Sequence, residues 1–324
     1  MHREEVHATK LIKGFARLRL CSLVLAFFLL SYVFVASSSL LGMRGRKALW
    51  YEGIIHGPQS DKILSRIWER KVQAHDKLRA AIEETLHDLG VTDIPPLNTY
   101  DPYEPEWNCE DEIRIGSGLY NIGDGPKFAC GVSLLNATDN CVVYSIGSNW
   151  DFAFEYSVHQ AAPHCEIHTF DGTMDLSSKP LPLDLDSRNI HFHNWNVVAG
   201  GNQMRDVQTV SYTFAETLKR LKHEDATITW LKIDCEGCEF SVIPEVLSHA
   251  SPHQFLIEVH GLDALKVRNL FHSFSEAGLM IFHKERNHWG CKGYTCVEYS
   301  LISRPYAKRV LKNFLQSTHH TIDT

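Results

Sequence analysis

The sequence has no internal repeat, no low-complexity tract and little excess of either charge. Long apolar runs are equally scarce, since only one uncharged stretch approaches the length of a membrane span. These absences exclude a polytopic membrane protein, a collagen and a wholly disordered chain. The 32 basic and 39 acidic residues give a net charge of −7, which disfavours a general nucleic-acid binder. What remains is a chain of 324 residues that suits one large globular domain or two small ones.

The single apolar segment covers residues 20–41 and begins LCSLVLAFFLLSYVFVA, with basic residues on both sides. Its length is about the 20 residues that a helix needs to cross a bilayer. The larger basic cluster precedes it, so we expect a cytosolic N-terminus and a type II signal anchor in the ER or Golgi. A cleaved signal peptide is the alternative, because small residues surround Ala36. Both interpretations place the rest of the chain in the oxidising secretory lumen.

Nine cysteines are too few for a scaffold that disulfides alone hold together. Cys21 lies in the apolar segment, and the remaining eight form an even number, which indicates disulfides in a lumenal chain. The eight are Cys109, Cys130, Cys141, Cys165, Cys235, Cys238, Cys291 and Cys296. Asn136-Ala137-Thr138 is an N-glycosylation sequon and agrees with a lumenal location.

Hydrophobic periodicity predicts a helix over Asp61–Leu89, with Asp61 as its N-cap and Gly90 as its stop. This helix is interpreted either as a stalk or as an element packed on the domain. From Trp107, β-rich runs alternate with helix-compatible stretches, which predicts an open α/β sheet of parallel strands with crossover helices. The predicted strands are Cys141–Ile146, Glu166–Phe170, Ile190–Phe192 with its continuation, Ile228–Ile233 and Phe255–Val259, then an antiparallel pair, Leu279–Phe282 and Thr295–Ile302. The predicted helices are Phe152–Gln160, Thr213–Leu221, Glu239–Leu247, Leu265–Ala277 and a frayed helix from Lys308.

These segments predict five parts of the chain. They are a cytosolic tail at 1–19, an anchor at 20–41, a linker with a stalk helix at 42–105, an α/β domain at 106–305 and a C-terminal tail at 306–324.

Ligands of open α/β sheets bind beyond the carboxyl ends of the strands, near the point where the strand order reverses. Gly147 follows the first predicted strand and allows close approach of the backbone to a ligand, although an ordinary tight turn also uses glycine. Asp171 follows the second strand, where an acid suits either the hydroxyls of a ribose or an N-cap. The two together indicate a nucleoside cofactor.

The fourth and fifth predicted strands also end in polar residues. Asp234 and Glu236 follow one strand, and Glu258 and His260 end the other. Because neighbouring strand ends meet, we expect these side chains to lie together, with His260 as a general base at neutral pH. Capping of the next helix by the acids is the alternative.

Three runs resemble motifs of the FkbM-like S-adenosylmethionine-dependent methyltransferases: VVYSIGSNWDF at 142–152, HTFDG at 168–172 and KIDCEGCE at 232–239. The run at 107–131, with a Trp-x-Cys, a Gly-Asp-Gly and a second Cys, resembles the animal methyltransferase-like proteins that carry a signal or anchor. The resemblance covers about 107–303. It implies a Rossmann-like class I methyltransferase fold, with a mostly parallel sheet of seven strands and S-adenosylmethionine as cofactor.

The resemblance also implies which residues bind the cofactor. Those residues are Ser145, Gly147, Asn149, Asp171, Asn196 and Asp234. Gly147 and Asn149 match the loop around the methionine part, Asp171 matches the ribose-binding acid, and Asn196 falls near the place where adenine is held. Asp234 and Glu236 match the acids beside the transferring methyl.

We expect Asp234, Glu236 and His260 to be the catalytic residues, and we expect no metal. Either His260 or Asp234 takes the proton of an oxygen or nitrogen nucleophile. The acceptor is a glycan, a secreted protein or a small metabolite, with the membrane as a partner through the anchor and no nucleic acid.

Two departures from the family pattern leave other functions open. Ser145 stands where the family has Asp, and Asp151 stands where it has a second Gly. Asp151 is interpreted either as compensation for the lost carboxylate or as a block to the cofactor, in which case the chain is an inactive binding module. A Golgi glycosyltransferase is a further alternative, because Asp184-Leu185-Asp186 is an Asp-x-Asp of the kind that chelates a nucleotide-bound metal.

We expect three disulfides among the cysteines. The first is Cys109–Cys130. Cys141–Cys165 comes next, because both residues begin strands that we expect to be adjacent. Cys291–Cys296 would close a hairpin loop. We expect Cys235 and Cys238 to be reduced and buried, with a redox pair and half of a zinc site as the alternatives.

Overall fold

The computed structural model describes residues 60–90, 94–116, 124–136, 140–200 and 209–317. The predicted anchor and most of the sequon lie outside these ranges. Among the described helices, none is long and apolar enough to cross a membrane. The chain divides into two compact units, Met1–Leu64 and Ser65–Thr324. The first unit is described only over 60–64, which begin a helix, and the second contains all the strands described below.

The described ranges contain seven α-helices and eleven strands. The helices are α1 (Ser60–Leu89), α2 (Val132–Leu135), α3 (Ala153–Ala161), α4 (Phe214–Leu221), α5 (Glu239–His249), α6 (Ala264–Glu276) and α7 (Arg304–Ser317). The strands are β1 (Glu112–Ile115), β2 (Lys127–Cys130), β3 (Val142–Ile146), β4 (Glu166–Phe170), β5 (Ile190–His193), β6 (Asn196–Val198), β7 (Ser211–Thr213), β8 (Ile228–Ile233), β9 (Gln254–His260), β10 (Leu279–Arg286) and β11 (Cys296–Ser303).

The central sheet has seven strands in the order β5-β4-β3-β8-β9-β11-β10. All neighbours from β5 to β9 are parallel, whereas β11 is antiparallel to both β9 and β10. The predicted Rossmann-like, mostly parallel seven-stranded sheet is therefore confirmed, including its closing antiparallel pair. The strand order reverses between β3 and β8, so a ligand is expected beyond the carboxyl ends of these two strands.

Helices cover both faces of the sheet, which explains why every residue of β3 and β8 is buried. Tyr144 of β3 contributes to one apolar core, together with Phe214 of α4 and Phe271 of α6. Val143 points the other way, into a second core with Val158 of α3. The alternation follows from the two-residue period of a strand.

Residues 65–89 of α1 contact the rest of the second unit, which favours the interpretation of this helix as a packed element over that of a stalk. The indole rings of Trp68 and Trp107 lie 5.3 Å apart, and Leu86 is buried in the core that contains Tyr144. A guanidinium nitrogen of Arg79 lies 3.3 Å from a carboxylate oxygen of buried Glu106. Of the apolar stripe that predicted the helix, Leu86 is buried, whereas Leu78 and Leu89 are exposed.

The C-terminal helix begins at Arg304, four residues before the frayed helix that the sequence predicts. Its side chains Tyr306, Ala307, Val310 and Leu311 are buried. This helix is thus part of the second core.

All eight cysteines outside the apolar segment are paired. The three expected disulfides, Cys109–Cys130, Cys141–Cys165 and Cys291–Cys296, are present in the structure. The expectation of reduced, buried thiols at Cys235 and Cys238 is wrong, because the two form a fourth disulfide and are only partly buried. Cys235 and Cys238 are three residues apart in the turn that follows β8. This turn places their Cα atoms 5.4 Å apart, a distance that suits a disulfide.

Candidate active site

The loop after β3 lies against the loop after β8 at the point where the strand order reverses. Gly147 has a φ of +82°, and a Cβ atom there would lie 1.8 Å from the carbonyl oxygen of Asp234. Only glycine fits both this backbone conformation and this close approach. Further along the same loop, Asn149 and Trp150 also have positive φ values, of 43° and 68°. The loop is therefore a tight, left-handed turn at the ligand-binding edge.

Asp171, at the carboxyl end of β4, holds this loop in place. Its Oδ2 atom accepts hydrogen bonds from the amides of Ser148 (3.1 Å) and Asn149 (2.8 Å), and its Oδ1 atom accepts two from Thr173. Burial raises the pKa of Asp171, but the hydrogen bonds from Thr173 and from the loop amides outweigh it and hold the pKa below its ordinary value. Both oxygens of the predicted ribose acid are thus engaged with the protein's own backbone and hydroxyl groups.

Asn196, the predicted adenine neighbour, is the first residue of β6. Its Oδ1 atom accepts a hydrogen bond from the amide of Gly172 at 3.1 Å. A Cβ atom on Gly172 would lie 2.7 Å from the amide nitrogen of Asn196. Asn196 is therefore beside the turn that follows Asp171, on the same side of the sheet's carboxyl edge.

Ser145 is fully buried in β3, and the carboxylate beside it comes from Glu155 of α3. Burial raises the pKa of Glu155, while the charge of Lys232 and the hydrogen bond from the hydroxyl of Thr169 oppose this rise. Asp151 does not take this place, because it is exposed and its Oδ1 atom accepts the amide of Ala153 at the start of α3. The structure thus supplies a carboxylate near Ser145 from a residue that the sequence analysis did not consider.

Eight charged residues form a cluster at the carboxyl edge of the sheet, which we call the carboxyl-edge cluster. Its members are Asp124, Lys127, Asp234, Glu236, Glu239, Glu258, His260 and Glu298. Six of them are acids and two are bases. The predicted catalytic residues Asp234, Glu236 and His260 all belong to it, with their ligating atoms within 4.8 Å of one another.

Lys127 of β2 is the buried cation of this cluster. Its Nζ atom lies 3.1 Å from Oδ2 of Asp234 and also donates to Oε1 of Glu298. Burial lowers the pKa of Lys127, but the charges of Glu298 and Asp234 outweigh it and raise the pKa above its ordinary value. For Asp234, burial raises the pKa, whereas the charges of Lys127 and Lys232 hold it well below its ordinary value. Both groups are charged at neutral pH.

Glu258 and Glu298 face each other across β9 and β11. Two like charges in directly opposed positions destabilise a sheet unless a cation or a proton compensates them. Burial raises the pKa of Glu298. The charge of Lys127 opposes this rise and the charges of Glu258 and Asp234 add to it, so the pKa is about 8. Its Oε2 atom is buried without a hydrogen-bond partner among the described residues. With a pKa of about 8, Glu298 is mostly protonated at neutral pH, and this proton relieves the repulsion between the two opposed acids.

His260 lies at the end of β9 among three carboxylates. Its backbone amide donates to Oε1 of Glu239 at 2.6 Å, and its Nδ1 atom lies 3.3 Å from the same oxygen. Its Nε2 atom lies 3.4 Å from Oε2 of exposed Glu236 and 3.9 Å from Oε2 of Glu258. Burial lowers the pKa of His260, but the hydrogen bond and charge of Glu239 and the charges of Glu258 and Glu236 raise it to about 9. The imidazole is therefore protonated at neutral pH and must lose a proton before it acts as a base.

Sequence reasoning assigned no role to Lys127, Glu239 or Glu298. Glu239 stands in the KIDCEGCE motif, and its complete burial distinguishes it from exposed Glu236. Lys127 and Glu298 belong to strands that reach the site from distant parts of the chain, so local spacing gave no signal.

The Asp-x-Asp of the glycosyltransferase alternative lies away from this cluster. Asp184 accepts hydrogen bonds from the hydroxyl of Tyr156 (2.9 Å) and from Nε of Arg188 (2.8 Å). An aspartate that is neutralised by an adjacent guanidinium is a poor ligand for a metal–diphosphate complex. The arrangement does not favour that alternative.

A family model described as a methyltransferase domain matches residues 61–303, which is more than half of the chain. A search of curated proteins found no match. Solved structures with a similar fold include methyltransferase FkbM from Methylobacillus flagellatus, with 14% identity, a TM-score of 0.35 and coverage of 71% of this chain and 59% of that one. Fibrillarin from Aeropyrum pernix, solved with S-adenosylmethionine, has 11% identity and a TM-score of 0.34, and the match covers 58% of this chain and 85% of that one. Both TM-scores are below 0.5, so the family assignment follows from the family model alone.

Proposed function

Because this chain belongs to the methyltransferase-domain family, we propose that it transfers the methyl group of S-adenosylmethionine to an oxygen or nitrogen nucleophile in the secretory lumen. S-adenosylmethionine is the cofactor, and it supplies a methyl group on a positively charged sulfur. The carboxyl-edge cluster fits this cation, because its acids outnumber its bases and because Oε2 of Glu298 has no hydrogen-bond partner within the part of the chain that the structure describes. The carbonyl oxygen of Asp234 lies against Gly147, and this contact supports our proposal that Asp234 would bind the cofactor near its methyl group.

The protein's own residues orient the acceptor and take its proton. Methyl transfer needs the nucleophile aligned with the methyl carbon and sulfur, and it needs a base. We propose His260 in its neutral form as that base, with Glu239 fixing the ring through Nδ1. Asp234 is the weaker candidate, because Lys127 holds its carboxylate as a stable anion.

The proposed location rests on the sequence. The basic-flanked segment at 20–41 supports a single-pass type II membrane protein, or a secreted one if the segment is cleaved. Four disulfides support an oxidising compartment. The run at 107–131 supports the animal branch of secretory-pathway methyltransferase-like proteins. Acceptors in that compartment are glycans, secreted proteins and small metabolites.

Titration calorimetry of the full chain tests the cofactor assignment. We expect S-adenosylmethionine to bind and sugar nucleotides, with or without manganese, not to bind. The variant Asp234→Asn is expected to weaken binding of S-adenosylmethionine. The matched control Asp263→Asn, at the exposed N-cap of α6, is expected to leave binding unchanged. Binding of sugar nucleotides alone would show a glycosyltransferase, and binding of neither ligand would show an inactive module.

A second experiment identifies the acceptor class. S-adenosylmethionine with a tritiated methyl group is incubated separately with glycans, secreted proteins and small metabolites. We expect label in one fraction, and we expect its transfer to require His260. Equal transfer by the wild type and by a variant with both His260→Ala and Asp234→Ala would contradict the assignment of the base.

A further inference from the structure

A second group of metal-ligating side chains lies at the amino edge of the sheet, opposite the carboxyl-edge cluster. Glu166 begins β4, His168 lies two residues further on, and His223 follows α4 ahead of β8. One carboxylate oxygen and one nitrogen of each ring lie within 4.8 Å of one another. We call these three residues the Glu-His-His cluster. The proposed methyl transfer makes no use of it.

Both histidines turn the same ring atom toward Glu166. Nε2 of His168 lies 2.8 Å from Oε1 of Glu166, and Nε2 of His223 lies 3.8 Å from Oε2. Tetrahedral zinc, with zinc–nitrogen distances of about 2.0–2.1 Å, holds its ligand atoms about 3.3 Å apart. The two observed distances lie on either side of this separation, so small side-chain rotations bring all three groups onto one ion.

The opposite nitrogen of each ring already has a partner. Nδ1 of His168 lies 2.9 Å from Nε2 of His193, and Nδ1 of His223 lies 2.8 Å from the hydroxyl of Tyr144. Metal-binding histidines almost always hydrogen-bond through their second ring nitrogen, usually to a carboxylate, a backbone carbonyl or water, and this bond fixes the ring orientation. An imidazole nitrogen and a tyrosine hydroxyl take that place here. Tyr144 is fully buried, and the side chain of His168 is 5% exposed, so the core holds this arrangement.

We propose that Glu166, His168 and His223 bind one zinc ion, with water as the fourth ligand. Two imidazole nitrogens and one carboxylate oxygen are a zinc donor set, and sites of nitrogen and oxygen generally bind Zn²⁺ more tightly than Fe²⁺ or Mn²⁺. The side chain of Glu166 is 43% exposed, which gives the ion and the water access from solvent. The ion would join β4 to the segment between α4 and β8 and stabilise this edge of the sheet.

Calorimetric titration of the full chain with Zn²⁺, after removal of bound metals, tests the proposal. We expect saturable binding of one ion at this site and a rise in the melting temperature. Glu166→Gln and His223→Gln each remove one ligand and are expected to weaken binding by at least about tenfold. Tyr144→Phe removes only a hydroxyl. We expect it to lower the affinity for zinc about 10- to 100-fold, as loss of other partners of metal-bound histidines does.

The control is His272→Gln, which alters an exposed histidine beside Glu276 on α6. This variant is expected to bind zinc like the wild type. Co²⁺ reports the geometry by its absorption bands, which should be those of a four-coordinate ion in the wild type and should be lost in Glu166→Gln. Circular dichroism of each variant separates loss of the site from loss of the fold. Wild-type affinity in both ligand variants, absence of zinc binding, or tighter binding of Fe²⁺ than of Zn²⁺ would overturn the proposal.

Discussion

At the scale of single residues, Gly147 determines how closely the two loops approach at the carboxyl edge. We predict that Gly147→Ala unfolds at a lower urea concentration and loses affinity for S-adenosylmethionine. The left-handed φ alone costs about 1–2 kcal/mol for alanine. The clash adds to this cost, because the new Cβ atom would lie only 1.8 Å from the carbonyl oxygen of Asp234. Urea unfolding and calorimetric titration measure the two effects.

Gly278 is the matched control for this variant. Its φ of +73° is similar, but a Cβ atom there meets nothing within 4 Å. Gly278→Ala should therefore show the cost of the backbone conformation, about 1–2 kcal/mol, and unchanged cofactor binding. Equal cofactor affinity in the two variants would mean that the Gly147 loop is not part of the cofactor site.

His260 gives a prediction about pH. Burial lowers its pKa, but Glu239 and the neighbouring acids raise it to about 9. We predict that the His260 resonances titrate near pH 9 in an NMR experiment and at lower pH in Glu239→Gln, which lacks the main charge that raises the pKa. His260→Gln assigns the signal, and Glu276→Gln, an acid beside His272, serves as the control. An unchanged midpoint in Glu239→Gln would contradict this account.

The same shift affects folding stability. Because the pKa is higher in the folded state than the ordinary value of 6.5, the charged ring stabilises the fold fully below about pH 6.5. This contribution is lost as the pH rises through about 9. Urea unfolding of the wild type should therefore lose stability over this window relative to His260→Gln, and parallel profiles would contradict the prediction.

At the scale of elements, Lys127 links the hairpin of β1 and β2 to the central sheet through its ion pairs with Asp234 and Glu298. Removal of one partner of a buried ion pair costs about 3–5 kcal/mol, because the other charge stays buried without compensation. We predict a loss of this size for Lys127→Met, measured by urea unfolding. The double variant Lys127→Met/Glu298→Gln should recover part of the loss, since it removes a buried carboxyl group that has lost its partner. A double variant no more stable than the single one would show that Glu298 is not the main partner.

Most elements of the sheet could be predicted because their signal is local. A run rich in β-branched and aromatic residues such as Ile228–Ile233 indicates a strand, and the structure has the strand with the same bounds. The continuation of the third predicted strand was harder to predict, because β6 lies outside the central sheet and pairs with β7. Pairing between separate segments has no signature in either segment alone.

The sequence predicted only those residues of the site that lie at the carboxyl ends of strands. Asp234 follows β8 and His260 ends β9, and the topology brings the two side chains together. The buried cation Lys127 comes from a hairpin outside the sheet, so its place depends on tertiary packing. Asp171 shows a different limit, since the sequence predicts an acid at that position but not the four donors that occupy it.

At the scale of the whole molecule, the pairing of the cysteines links the fold to its compartment. Four disulfides close loops in the domain. Cys109–Cys130 encloses the Gly-Asp-Gly region, Cys141–Cys165 joins the starts of β3 and β4, Cys235–Cys238 closes the turn after β8, and Cys291–Cys296 closes the loop before β11. Each disulfide of a secreted domain typically adds about 2–4 kcal/mol of stability. A domain that depends on these bonds should fold poorly where thiols stay reduced.

We therefore predict different thiol contents for the protein made by two routes. The full chain, made through the secretory pathway of cultured cells, should react with maleimide at no cysteine except Cys21 until it is reduced. A chain without residues 1–41, made in the cytosol, should expose up to eight reactive thiols and unfold at lower urea concentration. Mass spectrometry counts the modified cysteines, and loss of the N-glycan in Asn136→Gln reports lumenal exposure independently. Eight reactive thiols in the full chain would contradict both the disulfides and the proposed lumenal location, because an oxidising compartment would have closed them.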